Sequence, residues 1–413
     1  MKPTTQVLVA LGTALLLGVG ISASGSTSLL AATDWLVPVG ALWVAAIRMT
    51  VFPLVVALII TGVASAADEQ RMGRLGLRTV LVFLGLLTAL AIIAVPLAPL
   101  IFRGIAPATG DRVLPPGTVE AAQQVANAGG ATSIAAWLLS LVPTNPFSAL
   151  ANGAMLPLIV FLVLFAIAVA QLSAAQRAPL LAVARTIGDA MQVMVHAVIA
   201  LAPIGVFALV VPLAAHLGSA FVGAVGLYIV VYSVATVVMT LALYPVVSAL
   251  SGIPVRRWAS AVLPAQLIAF TSSSSVASLP SMLEAVNGPL ALPSRAGSFV
   301  LPLAVSTFKI AAPVSWSIGA CFIGWFYGVP LHASQMGIIA FAAVFLAFAG
   351  PGVPNGAFLM LTPLFVQIGL PAEGIGVLIA LDALPDRFAT VLNVTGDLAA
   401  AAIVVGRERA PAA

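Results

Sequence analysis

Charge is what this chain has least of. Only 7% of its 413 residues are Asp, Glu, Lys or Arg, while 62% are hydrophobic. A soluble domain carries roughly a quarter charged residues, so this chain has too little polar surface to face water on every side. The composition is that of a polytopic membrane protein. Cysteine is almost absent as well. Cys321 stands alone, which excludes a disulfide framework or a cysteine metal site within one chain; its apolar neighbours mark it as a buried packing thiol. The three histidines show no metal-ligand spacing. His196 reads as a packed residue in an apolar helix, and His216 and His332 as members of external loops. No Gly-rich phosphate loop or ATP motif is present, so no cofactor is expected and any transport must run on gradients. The net charge is +4. The bases nevertheless lie singly between apolar spans, which marks membrane orientation and excludes a nucleic-acid groove.

What is there is a series of apolar runs. A bilayer core takes about 20 apolar residues per helix. Spans are predicted at Val7–Leu30, Val37–Ala67, Thr79–Phe102, Ala190–Leu217 and Ala220–Leu250. The first reads as a membrane helix rather than a signal peptide, since many spans follow. Ala121–Gln176 carries no charge, is too long for one span, and is broken at "VPTNPFSALANG". Then the pattern changes. Ala261–Ala285 has apolar arms around "TSSSSVAS", Gly297–Gly328 contains Lys309 and Pro313, and Gly337–Leu370 has apolar arms around "GPGVPNG". Ile375–Val405 is the last predicted span.

Short, interrupted apolar segments point to a transporter with internal repeats. Irregular backbone is tolerated at membrane depth only where protein or a watery cavity surrounds it. The serine-rich and the Gly-Pro-rich segments therefore read as re-entrant hairpins whose tips meet a polar site. Arg71, Arg74, Arg78, Arg177, Arg185, Arg256, Arg257, Arg407 and Arg409 fit one orientation. It places both chain ends in the cytoplasm of a multi-pass protein in the cell (inner) membrane.

The last span holds the most specific pattern, "ALDALPDRFATVLNVTGDLAA". On one helix, with Asp382 at 0°, Asp386 falls at about 40°, Thr390 at about 80°, Asn393 at about 20° and Asp397 at about 60°. An intramembrane aspartate costs a few kcal/mol on insertion scales. A stripe of them must face a cavity, a cation or a cationic partner. Arg387 and Lys309 are two bases against three acids, so an ion-pair network alone leaves the stripe unneutralised. Pro385, inside this span, removes one backbone hydrogen bond and frees the Leu381 carbonyl, adding an acceptor near Asp382 and Asp386 or kinking the helix.

"DALPDRFATVLNVTGD" resembles the final-helix signature of the dicarboxylate/amino acid:cation symporters, the glutamate-transporter fold. "TSSSSVASLP" resembles that family's first hairpin, and "GVPNGAFLMLTPLFVQIGLPAEGIG" its second. "LVPTNPFSALANGAMLPLIVF" and "LAPIGVFALV" resemble further segments, in order along the whole chain. The resemblance implies an all-α polytopic membrane protein of eight transmembrane helices plus two re-entrant hairpins. It would be an inverted-repeat elevator transporter and a homotrimer in the lipid bilayer. It implies scaffold helices 1–2 in residues 1–75, and transport-domain helix 3 with an external loop in 76–120. Residues 121–255 would hold mainly scaffold helices 4–5 with transport-domain helix 6 at the end, and 256–413 the transport core.

The resemblance also implies roles. Asp386 would hold a substrate α-amino group, and Asn393 and Thr390 its α-carboxylate region. Ser274 and Ser275 of the first hairpin, with Val353 and Pro354 of the second, would close over it. Asp397 and the Asn393 backbone would form a sodium site, while Ser306, Lys309 and Asp382 would take part in ion coupling. Two departures stand out. Ala389 occupies the place of the arginine that reads a side-chain carboxylate in acidic-substrate members. Arg387 lies about 160° around the helix from it and resembles the family's other arginine position, near the first hairpin tip. And "STFKIAAPV" replaces the polar sodium-binding motif of the seventh helix, bringing in Lys309. Its ammonium is expected to stand in for one bound cation or to form a static salt bridge. The expectation is a symporter of a small neutral amino acid, coupled to sodium or protons. The alternatives are a C4-dicarboxylate:proton or sodium symporter and, in another class, an intramembrane serine hydrolase with a Ser273–Ser275 nucleophile and Lys309 as base. A channel is a further rival, set aside because two hairpins gating one midplane site favour alternating access.

Overall fold

The computed structural model describes residues 3–68, 74–103, 105, 142–152, 154–347 and 356–406. These are helical throughout, with no strand among the described residues. The helices run α1 (Pro3–Ser24), α2 (Thr27–Thr33), α3 (Val37–Asp68), α4 (Arg74–Phe102), α5 (Pro146–Ala151), α6 (Met155–Gln171), α7 (Ala174–Ala200), α8 (Ala202–Leu217) and α9 (Ser219–Ser251). They continue with α10 (Val255–Ser272), α11 (Ser275–Asn287), α12 (Leu301–Thr307), α13 (Ala312–Tyr327), α14 (Ala333–Leu346), α15 (Gly356–Gln367), α16 (Glu373–Leu381) and α17 (Pro385–Val405). Six helical stretches among the described residues are long and apolar enough to cross a membrane, or up to seven if the bent pair α7–α8 is one span. Their outer faces are apolar: Leu16, Leu42, Ile92 and Val193 are all at least 70% exposed. Water would not tolerate such a surface, and acyl chains would.

Several predicted spans are cut where local chemistry cuts them. The span expected to reach Leu30 ends at Ser24, because Gly25 takes a left-handed turn (φ 63°) and Ser26 caps α2. The span expected over Ala190–Leu217 is two helices bent by 51° at Leu201. Pro203 lies in the first turn of α8, where its missing N–H needs no partner, and it cannot continue α7. The stretch expected as one last span over Ile375–Val405 is also two helices, joined by the turn Asp382–Leu384. Pro385 opens α17 rather than kinking a continuous helix. The spans read at Val37–Ala67 and Ala220–Leu250 match α3 and α9. Of the stretch Ala121–Gln176, residues 121–141 and 153 lie outside the described set; Pro146–Ala151 forms α5, Met155–Gln171 forms α6, and Ala174 opens α7.

One group of helices packs around α3: α1 lies along α8, and α6, α7 and α8 lie along α3. The α1–α8 contact depends on Gly18, where a Cβ would collide with Ala214. Trp43 of α3 donates its indole N–H to the Val198 carbonyl of α7 at 3.0 Å, within the buried interior. A second group surrounds α17, which touches α4, α9, α10, α11 and α12. Helices α10 and α11 fold against each other as a hairpin. Its tip is the serine run: Ser273 is left-handed (φ 52°), and Ser274 caps α11 by accepting from Ala277 N.

Candidate functional site

The predicted span over Gly297–Gly328 is broken at its polar residue. A wide helical turn, Ala296–Val300, leads into α12, which stops at Thr307; Phe308 is extended (φ −115°, ψ 108°) and α13 starts at Ala312. Phe83 of α4 stacks on Phe308 with ring centroids 4.4 Å apart, holding the break in place from one side. From the other side α17 presses in. Gly396 has no Cβ, and one would collide with Ile310. Asn393 accepts from the freed N–H of Ala311 through Oδ1 at 2.9 Å. That bond orients the carboxamide and leaves its NH₂ as a donor.

Along α17 Asp386, Thr390, Asn393 and Asp397 share one face, while Asp382, expected on the same helix, lies in the turn before it. Asp386 is half-buried, Thr390 buried, Asn393 half-buried and Asp397 fully buried. Thr390 Oγ1 donates to the Asp386 carbonyl at 2.7 Å, so its hydroxyl retains lone pairs for a ligand. Asp382, in the turn before the helix, is 2% exposed, and its Oδ1 has no hydrogen-bond partner. The Tyr228 hydroxyl is likewise buried without a partner. Asp397 is 0% exposed and neither carboxylate oxygen has a hydrogen-bond partner. Such orphaned buried oxygens mark a place built for something more than packing.

Lys309 sits in the break. It is partly buried, and its ammonium donates to the Val305 carbonyl at 2.6 Å. Ile310, next to Lys309, packs against Gly396, next to Asp397, so the two charged residues flank one close approach. No hydrogen bond joins the ammonium to Asp397, both of whose oxygens lack a hydrogen-bond partner. Ser306 is exposed and donates to the Pro302 carbonyl of its own helix at 2.8 Å.

The hairpin tip lies beside α17. Arg387 donates to the Phe270 carbonyl at 3.2 Å, and Phe270 meets Phe388 edge-on with centroids 5.2 Å apart. Ser274 is committed to capping α11, while Ser275 is half-buried and its hydroxyl has no hydrogen bond to another described residue. No hydrogen bond joins a tip serine to Lys309 among the described residues, so the serine–lysine dyad has no geometric basis. Val353 and Pro354 lie outside the described residues. Ala389 is buried at 4% exposure.

One partner was not anticipated. Gln266 of α10 is buried; its Nε2 lies 2.8 Å from Thr395 Oγ1 and 3.1 Å from the Tyr244 hydroxyl. It joins the hairpin, α9 and α17 just behind the site. Its signal was an amide in the otherwise apolar arm "AVLPAQLIAF". His196 corrects an expectation: it is exposed, with Nδ1 2.7 Å from the Gln192 carbonyl. His216 closes the last turn of α8, 3.1 Å from Asp34, and His332 precedes α14 as its N-cap. Cys321 is buried as expected. No cluster of His, Cys, Asp or Glu suited to a metal occurs among the described residues. An apolar cavity of about 870 Å³ lies between α4 and α14, lined by Leu84, Ile92, Val95, Phe341 and Phe345, and contains none of the site residues.

A multi-pass helical membrane protein with a broken helix, a polar hairpin tip and buried carboxylates converging is of the class that moves small solutes across membranes. The chain belongs to the sodium:dicarboxylate symporter family, whose model matches residues 4–407. It is 30% identical to the proton/glutamate-aspartate symporter of Escherichia coli (strain K12) over 381 residues, covering 90% of this chain and 86% of that protein. It is 30% identical to the proton/sodium-glutamate symport protein of Bacillus subtilis (strain 168) over 405 residues, 97% and 91% of the two. It is 26% identical to the C4-dicarboxylate transport protein of Azorhizobium caulinodans over 375 residues, 90% and 82%. The family is one of symporters, not enzymes, and the hydrolase alternative falls with that.

Proposed function

We propose that this chain is a secondary active symporter of a small neutral amino acid, driven by a sodium or proton gradient. The observation that carries the reading is the pairing of Ala389 with Arg387. A guanidinium binds a side-chain carboxylate with two parallel hydrogen bonds, and the buried position 389 offers only a methyl group. The nearest guanidinium on the helix, Arg387, is bonded to the hairpin backbone. Asp386 would hold the α-amino group. The Asn393 NH₂, oriented by its bond to Ala311, and the Thr390 hydroxyl would hold the α-carboxylate. Asp382, buried in the turn before the helix, would make the pocket unfavourable to a second negative charge.

The two helix groups, one around α3 and one around α17, support an elevator in which the second moves against the first. The α10–α11 hairpin, with α14 and α15 as the arms of a second hairpin, would be re-entrant and gate the site. Eight spans, cytoplasmic termini and a homotrimer complete this reading.

The names of the relatives favour a second reading, an acidic amino acid or C4-dicarboxylate as substrate. Under it Arg387 would leave Phe270 to meet the carboxylate. Counterflow in proteoliposomes separates the two. Exchange of serine, alanine or threonine, with none for glutamate, aspartate or succinate, is the expected result; the opposite order establishes the second reading.

A further inference from the structure

The break between α12 and α13 leaves the last carbonyls of α12 without main-chain partners. In a continuous helix the Lys309 N–H would bond the Val305 carbonyl. Instead the Lys309 side chain returns to that oxygen with its ammonium, at 2.6 Å. Gly396 packs against Ile310, which brings the neighbouring Asp397 to the break; it is fully buried, with both oxygens unpartnered. Asn393 and Gly396, on the same turns of α17 as Asp397, hold the break against that helix.

A helix-end carbonyl and a buried carboxylate are the oxygen set that a hard cation seeks. Here a cation is already present, and it is covalent. Lys309 bonds the carbonyl beside the close approach of Gly396 and Ile310, and its single positive charge equals the single negative charge of an ionised Asp397. A free metal ion at Asp397 would add a second positive charge beside the ammonium, in surroundings that screen charge poorly.

We propose that the Lys309 ammonium is the resident cation of the Asp397 position, so that this position takes up no free sodium ion in the native chain. The symporter reading matters here only for the consequence: one coupling ion fewer per cycle at this position. The assay contains no substrate, so its failure leaves the substrate assignment standing, and failure of that assignment leaves this one standing.

The test is the melting temperature of the purified full-length protein in detergent, titrated with sodium chloride or choline chloride at constant ionic strength. The native chain is expected to show no saturable sodium shift that Asp397→Asn removes. Lys309→Ala is expected to melt lower in choline and to recover saturably, by about 2–5 °C, with sodium or methylammonium. Lys309→Ala combined with Asp397→Asn is expected to lose that recovery. A saturable sodium shift in the native chain that Asp397→Asn abolishes would overturn the proposal. So would a folded Lys309→Ala protein indifferent to both cations. Lys309→Met fills the volume without the charge; native stability in choline for that variant would also overturn it. If Lys309→Ala does not fold, the native-chain titration and the Lys309→Met comparison still decide.

Discussion

The guanidinium of Arg387 reaches from the first turn of α17 to the carbonyl of Phe270, 3.2 Å away in the last turn of α10. It also lies 6.0 Å from the centroid of the Phe270 ring. One side chain thus anchors the hairpin tip to the helix that carries the acidic face. A hydrogen bond from a charged donor contributes about 1.5–3 kcal/mol. Arg387→Ala is expected to loosen the tip by that order. Hydrogen exchange over residues 270–278 reads it: faster exchange there, with α3 and α7 unchanged, is the expected pattern. Equal rates in both proteins would show that the bond does not hold the tip.

The proposed function makes Ala389 the position where substrate charge is read. Ala389→Arg is expected to bring in glutamate or aspartate, seen as competition against neutral substrate in counterflow. Affinity for the neutral substrate should fall, because the guanidinium enters the buried space beside Thr390. An unchanged selectivity profile would place the side-chain pocket elsewhere.

Gln266 is expected to matter for stability more than for recognition. Gln266→Leu preserves volume but strips the amide from Thr395 and the Tyr244 hydroxyl. Leaving buried polar groups unpaired costs about 1–3 kcal/mol, read as a lower melting temperature. Pairing it with Thr395→Val in a double-mutant cycle should recover part of the loss, since both ends of the bond are then absent. Strict additivity would mean that the two side chains act independently.

What the sequence made legible was the chemistry that contrasts with its surroundings. The aspartate face, the serine tip and the single lysine in an apolar span all stood out, because charge and hydroxyls are rare in this chain. The break at Lys309 was visible as an anomaly, though its form was not. Backbone partners were invisible. The Phe270 and Val305 carbonyls and the Ala311 N–H belong to residues with apolar side chains, and only the path of the chain reveals which main-chain groups a helix end leaves free. The joints at Leu201 and Asp382 were missed for a related reason. Hydropathy runs straight through them, while Pro203 and Pro385, each in a first helical turn, mark starts as readily as kinks. Angular spacing placed Asp386, Thr390, Asn393 and Asp397 on one face because α17 is continuous. It had no hold on Asp382, which lies in the turn before that helix.

The central claim is that a small amino acid binds between the hairpin tip and the acidic face of α17, in a chamber that water can enter. Cysteine accessibility tests it most directly, since Cys321 is buried and the background is silent. Ser275→Cys, in native membranes, should react with a water-soluble maleimide. A neutral amino acid substrate should slow that reaction, and Asp386→Asn in the same protein should remove the protection while leaving the unliganded rate intact. A thiol there that never reacts, or one whose reaction no amino acid slows, would contradict the account.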